Sequence, residues 1–183
     1  MTQILALVGS LRQKSLNKAL LRAAIEEAPA GVNIGTADIG ALPLFNEELE
    51  PALPAAVHTL KQQISAADAV LFVTPEYNYS IPGVLKNAID WGTRPYGTNS
   101  FAGKPGAIMG ASMGMLGTGR AQYHLRQICV FLDVKLLNKP EVLVPFAGKQ
   151  FDENGRLTSE DTRKHVRGLI EALVAWTAQL RRS

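Results

Sequence analysis

The chain has 183 residues, of which 46% are hydrophobic and 19% charged, with a formal net charge of +3. This length suits one domain, residues 1–183, with a full core, and the mild charge without a dense basic stripe argues against nucleic acid as a partner. The sequence has one cysteine, no basic leader and no apolar run of about 18 residues, so we expect a cytoplasmic protein without disulfides or membrane insertion.

The hydrophobic pattern predicts strands and helices that alternate along the whole chain. The predicted strands are 4–8, 32–37, 69–74, 105–112 and 134–144, the last interrupted by a proline. The predicted helices are 15–28, 54–65, 82–91, 119–132 and an amphipathic helix from 159. Residues 41–50 and 92–103 are predicted loops. This alternation is typical of an α/β three-layer sandwich, and a cradle after the first strand favours a flavodoxin-like five-stranded parallel sheet of order 2-1-3-4-5.

The loop between the first strand and the first helix is the first candidate site. Free N–H groups at a helix N-terminus attract anions; Ser10, Ser15 and Asn17 add donors, and Arg12 adds a fork that suits phosphate. The loop has one glycine and no G-K-[ST] sequence, which excludes a dinucleotide fingerprint and a nucleoside-triphosphate loop. It therefore predicts a site for a phosphate monoester such as that of FMN, and an ordinary turn capped by serine is the alternative.

Two further loops leave the third and fourth strands at the same predicted edge. Residues 74–83 place two tyrosines, an asparagine and Glu76 between prolines, and residues 110–120 contain four glycines. A stiff aromatic loop and a glycine-rich backbone suit the edge of a planar ring, whereas loops that only cover the core are the alternative. We expect Glu76 to accept a hydrogen bond or position a neighbour rather than act as a base. Phosphate at one loop and a planar ring between the others describe FMN.

These motifs together resemble the NADPH-dependent FMN reductase family. The resemblance rests on Gly9-Ser-Leu-Arg12 with Ser15 and Asn17, and on Pro75-Glu-Tyr-Asn-Tyr-Ser-Ile-Pro-Gly83, which continues into Leu85-Lys-Asn-Ala-Ile-Asp-Trp91. Residues 122–128 and 138–141 are similar to the bacterial quinone and chromate reductases of that family. The resemblance implies bound FMN, NADPH or NADH as hydride donor, and quinones, chromate, ferric complexes or azo and nitro compounds as small-molecule electron acceptors.

The resemblance also implies roles for individual residues. Those implied to hold the phosphate are Ser10, Arg12, Ser15, Leu16 and Asn17. Those implied to hold the ribityl chain and ring are Pro75, Glu76, Tyr77, Asn78, Tyr79, Ser112, Met113 and Gly114. It further implies a homodimer or homotetramer, with an interface that contains Tyr79, Arg120, Tyr123 and Glu141.

The predicted mechanism is a two-step flavin cycle, in which NAD(P)H reduces FMN and an acceptor then reoxidises it. Such chemistry takes place on the flavin and requires no catalytic side chain. Accordingly, Cys129 is interpreted as a buried hydrophobic residue, the three histidines as non-catalytic, and no metal site is predicted. The alternatives are a flavodoxin-like electron carrier without NAD(P)H activity, against which the pI of about 9.1 argues, and a non-enzymatic binding module. The sequence does not choose between NADPH and NADH.

Overall fold

Helices cover both faces of one parallel sheet, and the strands at its centre are apolar because both of their faces are buried. The computed structural model describes residues 1–182. The strands are β1 Thr2–Val8, β2 Val32–Thr36, β3 Ala69–Val73, β4 Pro105–Ala111, β5 Lys135–Leu136 and β6 Val142–Val144. The helices are α1 Leu16–Glu26, α2 Ala55–Ala66, α3 Gly83–Gly92, α4 Gly119–Leu132 and α5 Glu160–Leu180, with 3₁₀ turns at Glu47–Ala52 and Ala147–Lys149.

The strand order β2-β1-β3-β4-β5 confirms the predicted order. Two short strands, β5 and β6, share the last position of the sheet, since each pairs with β4. This division agrees with the interruption that the proline at 140 predicted. Alternate residues of each strand enter two separate cores. Ile4 and Ala6 pack with α1 and α5, whereas Leu5 and Leu7 pack with α2, α3 and α4. The predicted three-layer sandwich is therefore confirmed.

Two local predictions were wrong. The predicted loop 41–50 ends in the 3₁₀ turn, whose start is fixed by the Asn46 side chain accepting a hydrogen bond from the Glu48 N–H at 3.0 Å. Pro82 does not occupy the first turn of α3 but is its N-cap, with extended backbone.

The prediction for Cys129 is confirmed: it is 1% exposed, and burial raises the pKa of its thiol to about 12. Within residues 1–182, no helix is both long and apolar enough to cross a membrane.

Glu27 joins the end of α1 to α5 through two arginines. Its side chain is 5% exposed; one carboxylate oxygen accepts hydrogen bonds from Arg163 at 2.6 and 2.9 Å, and the other accepts from Arg167 at 2.7 Å. The hydrogen bond from Arg167, together with those from Arg163, holds the pKa of Glu27 below its ordinary value. The cluster therefore fixes α5 against α1, and so supports the helix that begins at the candidate site.

We expect Glu27→Gln to lower the free energy of unfolding at pH 7 by about 1–2 kcal/mol, since both arginines are partly exposed to screening water. Because the folded pKa is depressed, this stabilisation is present above the ordinary carboxyl value of 4.5 and is lost as the pH falls through the lower folded value. Thermal unfolding at pH 7 and pH 3 measures it. Glu153→Gln, at an exposed position, is the control. An equal loss of stability in both variants would show that the bonds from Glu27 to the two arginines do not stabilise the fold.

Candidate functional site

Three loops meet at the carboxyl edge of the sheet, where the alternation of strands and helices predicted them. We call them loop 1 (residues 9–15), loop 2 (residues 74–82) and loop 3 (residues 112–118). Between them lies a cleft of about 150 Å³, referred to below as the loop cleft. Ten of the thirteen residues predicted to bind a cofactor line it: Ser10, Arg12, Ser15, Leu16, Asn17, Pro75, Glu76, Tyr77, Ser112 and Met113. Asn78, Tyr79 and Gly114 do not line it.

Loop 1 presents a run of hydrogen-bond donors without acceptors. The backbone N–H groups from Leu11 to Leu16 donate no hydrogen bond within residues 1–182. In the same described part of the chain, the Ser10 hydroxyl and the exposed guanidinium of Arg12 have no partner. Ser15 is instead the N-cap of α1, since its hydroxyl accepts from the N–H groups of the next turn at 3.2 and 3.4 Å. An anion bound here would find backbone donors, a hydroxyl and a guanidinium together.

Asn17 lines the loop cleft, but most of its side-chain amide is bound within the protein. Its side-chain amide nitrogen donates to the Ala111 carbonyl at 2.9 Å, and its amide oxygen accepts from the Ala111 N–H at 2.9 Å. The residue is 2% exposed. The side chain therefore fastens the start of α1 to the end of β4, and only one amide hydrogen is left for a ligand.

Loop 2 is a rigid turn that exposes two aromatic rings. The backbones of Tyr77 and Ser80 exchange hydrogen bonds at 3.0 and 2.9 Å, and the two residues between them have positive φ angles of 50° and 68°. This left-handed pair closes a tight turn. Tyr77 and Tyr79 are consequently 47% and 66% exposed beside the loop cleft.

Glu76 anchors loop 2 to the beginning of α4. One carboxylate oxygen accepts from the Arg120 guanidinium, and the other accepts from the Ala121 N–H at 3.2 Å. The residue before α4, Thr118, provides no side-chain cap, so this carboxylate from another loop replaces one. The Arg120 guanidinium also lies 3.6 Å from the centroid of the Tyr79 ring. With its side chain 7% exposed, Glu76 positions its neighbours and is not free to act as a base.

Gly110, near the end of β4, lets the start of loop 2 and the end of loop 3 approach closely, because there is no space for a side chain at this position. A Cβ atom at Gly110 would lie 2.1 Å from the Thr118 hydroxyl and 2.3 Å from the Thr74 carbonyl oxygen. Loop 3 is held on its other side by hydrogen bonds from Ala147 N–H to the Ser112 carbonyl at 2.9 Å and from Phe146 N–H to that of residue 114 at 3.1 Å. Loop 3 is therefore fixed at both ends.

The sequence did not single out Phe146, which lies beside loop 3 with a positive φ of 47° and is 53% exposed. Its position could have identified it, because it follows the last strand by two residues at the edge of the sheet where the other loops converge. Met113 is 67% exposed at the same edge. Of these exposed side chains, Met113 lines the loop cleft together with Tyr77 of loop 2.

The other predicted residues lie away from the loop cleft. The side chains of Tyr123 and Glu141 are exposed and form no hydrogen bond or ion pair in the described part of the chain. His58 and His165 are exposed on helices, and the His124 ring nitrogen lies 3.0 Å from the Ser80 hydroxyl. Within residues 1–182, no group of three His, Cys, Asp or Glu side chains could hold a metal ion.

The NADPH-dependent FMN reductase family matches residues 2–149. The chain belongs to this family. The predicted family is thereby confirmed, and with it the prediction of an enzyme that depends on FMN and NAD(P)H.

Individual relatives of the family agree over almost the whole chain. An NAD(P)H-dependent FMN reductase of Pseudomonas aeruginosa is 52% identical, with 98% of this chain and 97% of that protein covered. A 2-hydroxy-1,4-benzoquinone reductase of Burkholderia is 45% identical, with 98% of each covered. Among solved structures, the flavoenzyme NAD(P)H:(acceptor) oxidoreductase FerB of Paracoccus denitrificans is similar, with a TM-score of 0.91, 38% identity and 98% of each chain covered.

Proposed function

We propose that the loop cleft binds FMN with its phosphate on loop 1 and its ring between loops 2 and 3. The observation that carries this proposal is the run of N–H groups from Leu11 to Leu16 that have no acceptor within residues 1–182. The Ser10 hydroxyl and the Arg12 guanidinium beside them are free in the same part of the chain. A phosphate monoester satisfies such donors, whereas a neutral ligand would leave most of them unpaired. The residues therefore fit the cofactor of the family.

The other two loops fit the remainder of FMN. The exposed Tyr77 ring and Met113 provide apolar contacts for a flat ring system. The backbone N–H groups of Met113 and Gly114 donate no hydrogen bond within residues 1–182 and are available to its polar edge. Pro75 stiffens the start of loop 2, while Glu76 fixes that loop to α4. Asn78, Tyr79 and Gly114 lie at the periphery, so we assign them to the outer wall of the bound cofactor.

We propose quinones as electron acceptors, because the Burkholderia relative is named for a benzoquinone. Bound in the loop cleft, FMN would supply the redox chemistry that connects NAD(P)H as hydride donor to the acceptor. The protein orients the ring and excludes water with the apolar side chains of Tyr77 and Met113, which line the loop cleft. No side chain is needed as nucleophile or base. Chromate, ferric complexes and azo and nitro compounds stay predictions.

The test is an FMN titration of the purified protein, followed by anaerobic NADPH and then benzoquinone, monitored by flavin absorbance. We expect FMN to bind, to bleach with NADPH and to recover with the quinone. Flavin that binds without bleaching would support the electron-carrier alternative. Failure to bind flavin would contradict the assignment of the loop cleft.

We further propose a cytoplasmic homodimer or homotetramer with Tyr79, Arg120, Tyr123 and Glu141 at the interface. Support comes from α4, where Tyr123, Val130 and Phe131 are 59%, 81% and 79% exposed, since apolar faces of this kind mark contacts between proteins. The single, buried cysteine suits a reducing compartment. Light scattering on the wild type and Tyr123→Ala/Phe131→Ser tests this, and a monomeric wild type would contradict it.

A further inference from the structure

Residues 77–80, which we call the loop 2 turn, are held in place by helix α4. The turn is closed by the two backbone hydrogen bonds between Tyr77 and Ser80. Within residues 1–182, only one other hydrogen bond joins these four residues to the remainder of the chain: the Nδ1 atom of His124 lies 3.0 Å from the Ser80 hydroxyl oxygen. The strand before loop 2 and the helix after it therefore do not fix the turn by hydrogen bonds.

The backbone of the loop 2 turn needs support from outside the turn. Asn78 and Tyr79 both lie in the left-handed region, with φ angles of 50° and 68°. Asparagine enters this region more readily than other residues, whereas a tyrosine there is disfavoured by its Cβ atom. Such conformations persist where the surrounding structure fixes them. Two side chains of α4 supply this support, since Arg120 stacks on the Tyr79 ring and His124 contacts Ser80.

The position of His124 on α4 explains why it reaches loop 2. It follows Arg120 by four residues, so the two side chains leave the same face of the helix. The beginning of α4 also binds the Glu76 carboxylate. Helix α4 therefore contacts loop 2 at three successive positions: Glu76, Tyr79 and Ser80.

His124 acts on loop 2 through one atom of its ring. The Nδ1 atom can donate to the Ser80 hydroxyl or accept from it, depending on the tautomer. The Nε2 atom has no hydrogen-bond partner in the described part of the chain, and the side chain is exposed. An asparagine carries its polar atoms at the same distance along the side chain as Nδ1, whereas those of a glutamine lie one bond further out. These two residues can therefore distinguish a contact through Nδ1 from a general effect of polarity.

We propose that His124 is a positioning residue for the flavin ring, because through Ser80 it fixes Tyr77 in the wall of the loop cleft. This inference rests on the proposed function, since it takes the ring of FMN to lie against Tyr77. Tyr77 is the end of the loop 2 turn that lines the loop cleft, and its backbone is bonded to Ser80 at the other end. Without the contact to His124, the turn gains other conformations. FMN then has to select one of them on binding, which lowers its affinity.

The experiment combines FMN titration with amide hydrogen exchange of the apoprotein, measured by NMR. We expect His124→Ala to weaken FMN binding by about two- to tenfold, the range for one neutral hydrogen bond, and to speed exchange of the Tyr77 and Ser80 amides. Ser80→Ala should have the same effect, and the double variant should be no worse than either. His124→Asn should restore the wild-type values, whereas His124→Gln should not. Gln127→Ala, at an exposed position on the same helix, is the control.

Equal FMN affinity in the wild type and His124→Ala would overturn the inference, even if the exchange of the loop 2 turn changes. Equal behaviour of the asparagine and glutamine variants would also overturn it, because the contact would then not depend on the position of Nδ1. A wild type that binds no FMN contradicts the proposed function instead. In that case the exchange of the apoprotein still reports whether His124 holds the loop 2 turn, so the two failures are distinguishable.

Discussion

Arg12→Ala is expected to weaken FMN binding by on the order of tenfold to a few hundredfold. The guanidinium is exposed and unpaired within residues 1–182, so no interaction inside the protein has to be broken before it can bind phosphate. Charge-assisted hydrogen bonds contribute about 1.5–3 kcal/mol each, which corresponds to this range of affinity. Quenching of flavin fluorescence on titration with the apoprotein gives the dissociation constant.

Lys14→Ala is the matched control, because Lys14 is an exposed cation on the same loop. If general positive potential holds the phosphate, both variants should lose affinity equally, and the role of the Arg12 fork is contradicted. Thermal stability of the apoprotein should not change in either variant. Unchanged FMN affinity in Arg12→Ala would mean that the N–H groups of loop 1 hold the phosphate alone.

Much of the fold could be predicted because its causes are local. The helix predicted at 119–132 has those bounds in the structure, and the proline at 140 divides the last strand as expected. Errors arose where a single side chain sets the local backbone. The cap formed by Asn46 creates a 3₁₀ turn inside a predicted loop, and nothing in the hydrophobic pattern distinguishes that residue from a solvated one.

The site was predictable in composition but not in the direction of its side chains. Three polar loops at strand ends identify the edge, since parallel strands end together. However, Glu76 meets Arg120 and the N-terminus of α4, 44 and 45 residues along the chain.

Asn17→Ala should destabilise the apoprotein by about 2–4 kcal/mol, in contrast to Arg12→Ala. The change removes two buried hydrogen bonds of 2.9 Å, and both backbone groups of Ala111 lose a partner that water cannot easily replace. For a chain of this size the loss corresponds to a decrease in Tm of roughly 4–16 °C, measurable by circular dichroism without cofactor.

Comparing Asn17→Ala with Arg12→Ala distinguishes a structural role from a contact with the ligand. We call the pair of hydrogen bonds between the Asn17 side chain and the Ala111 backbone the Asn17 clamp. If Asn17 acts mainly through the phosphate, its alanine variant should lose FMN affinity while the apoprotein keeps its Tm, and the clamp is contradicted. Asn17→Asp retains the acceptor for the Ala111 N–H but places an oxygen against the Ala111 carbonyl. We therefore expect it to be destabilised as well, because what this position requires is a donor and an acceptor together. The same clamp explains how loop 1 keeps its N–H groups free: it is held from β4 through a side chain rather than through its own backbone.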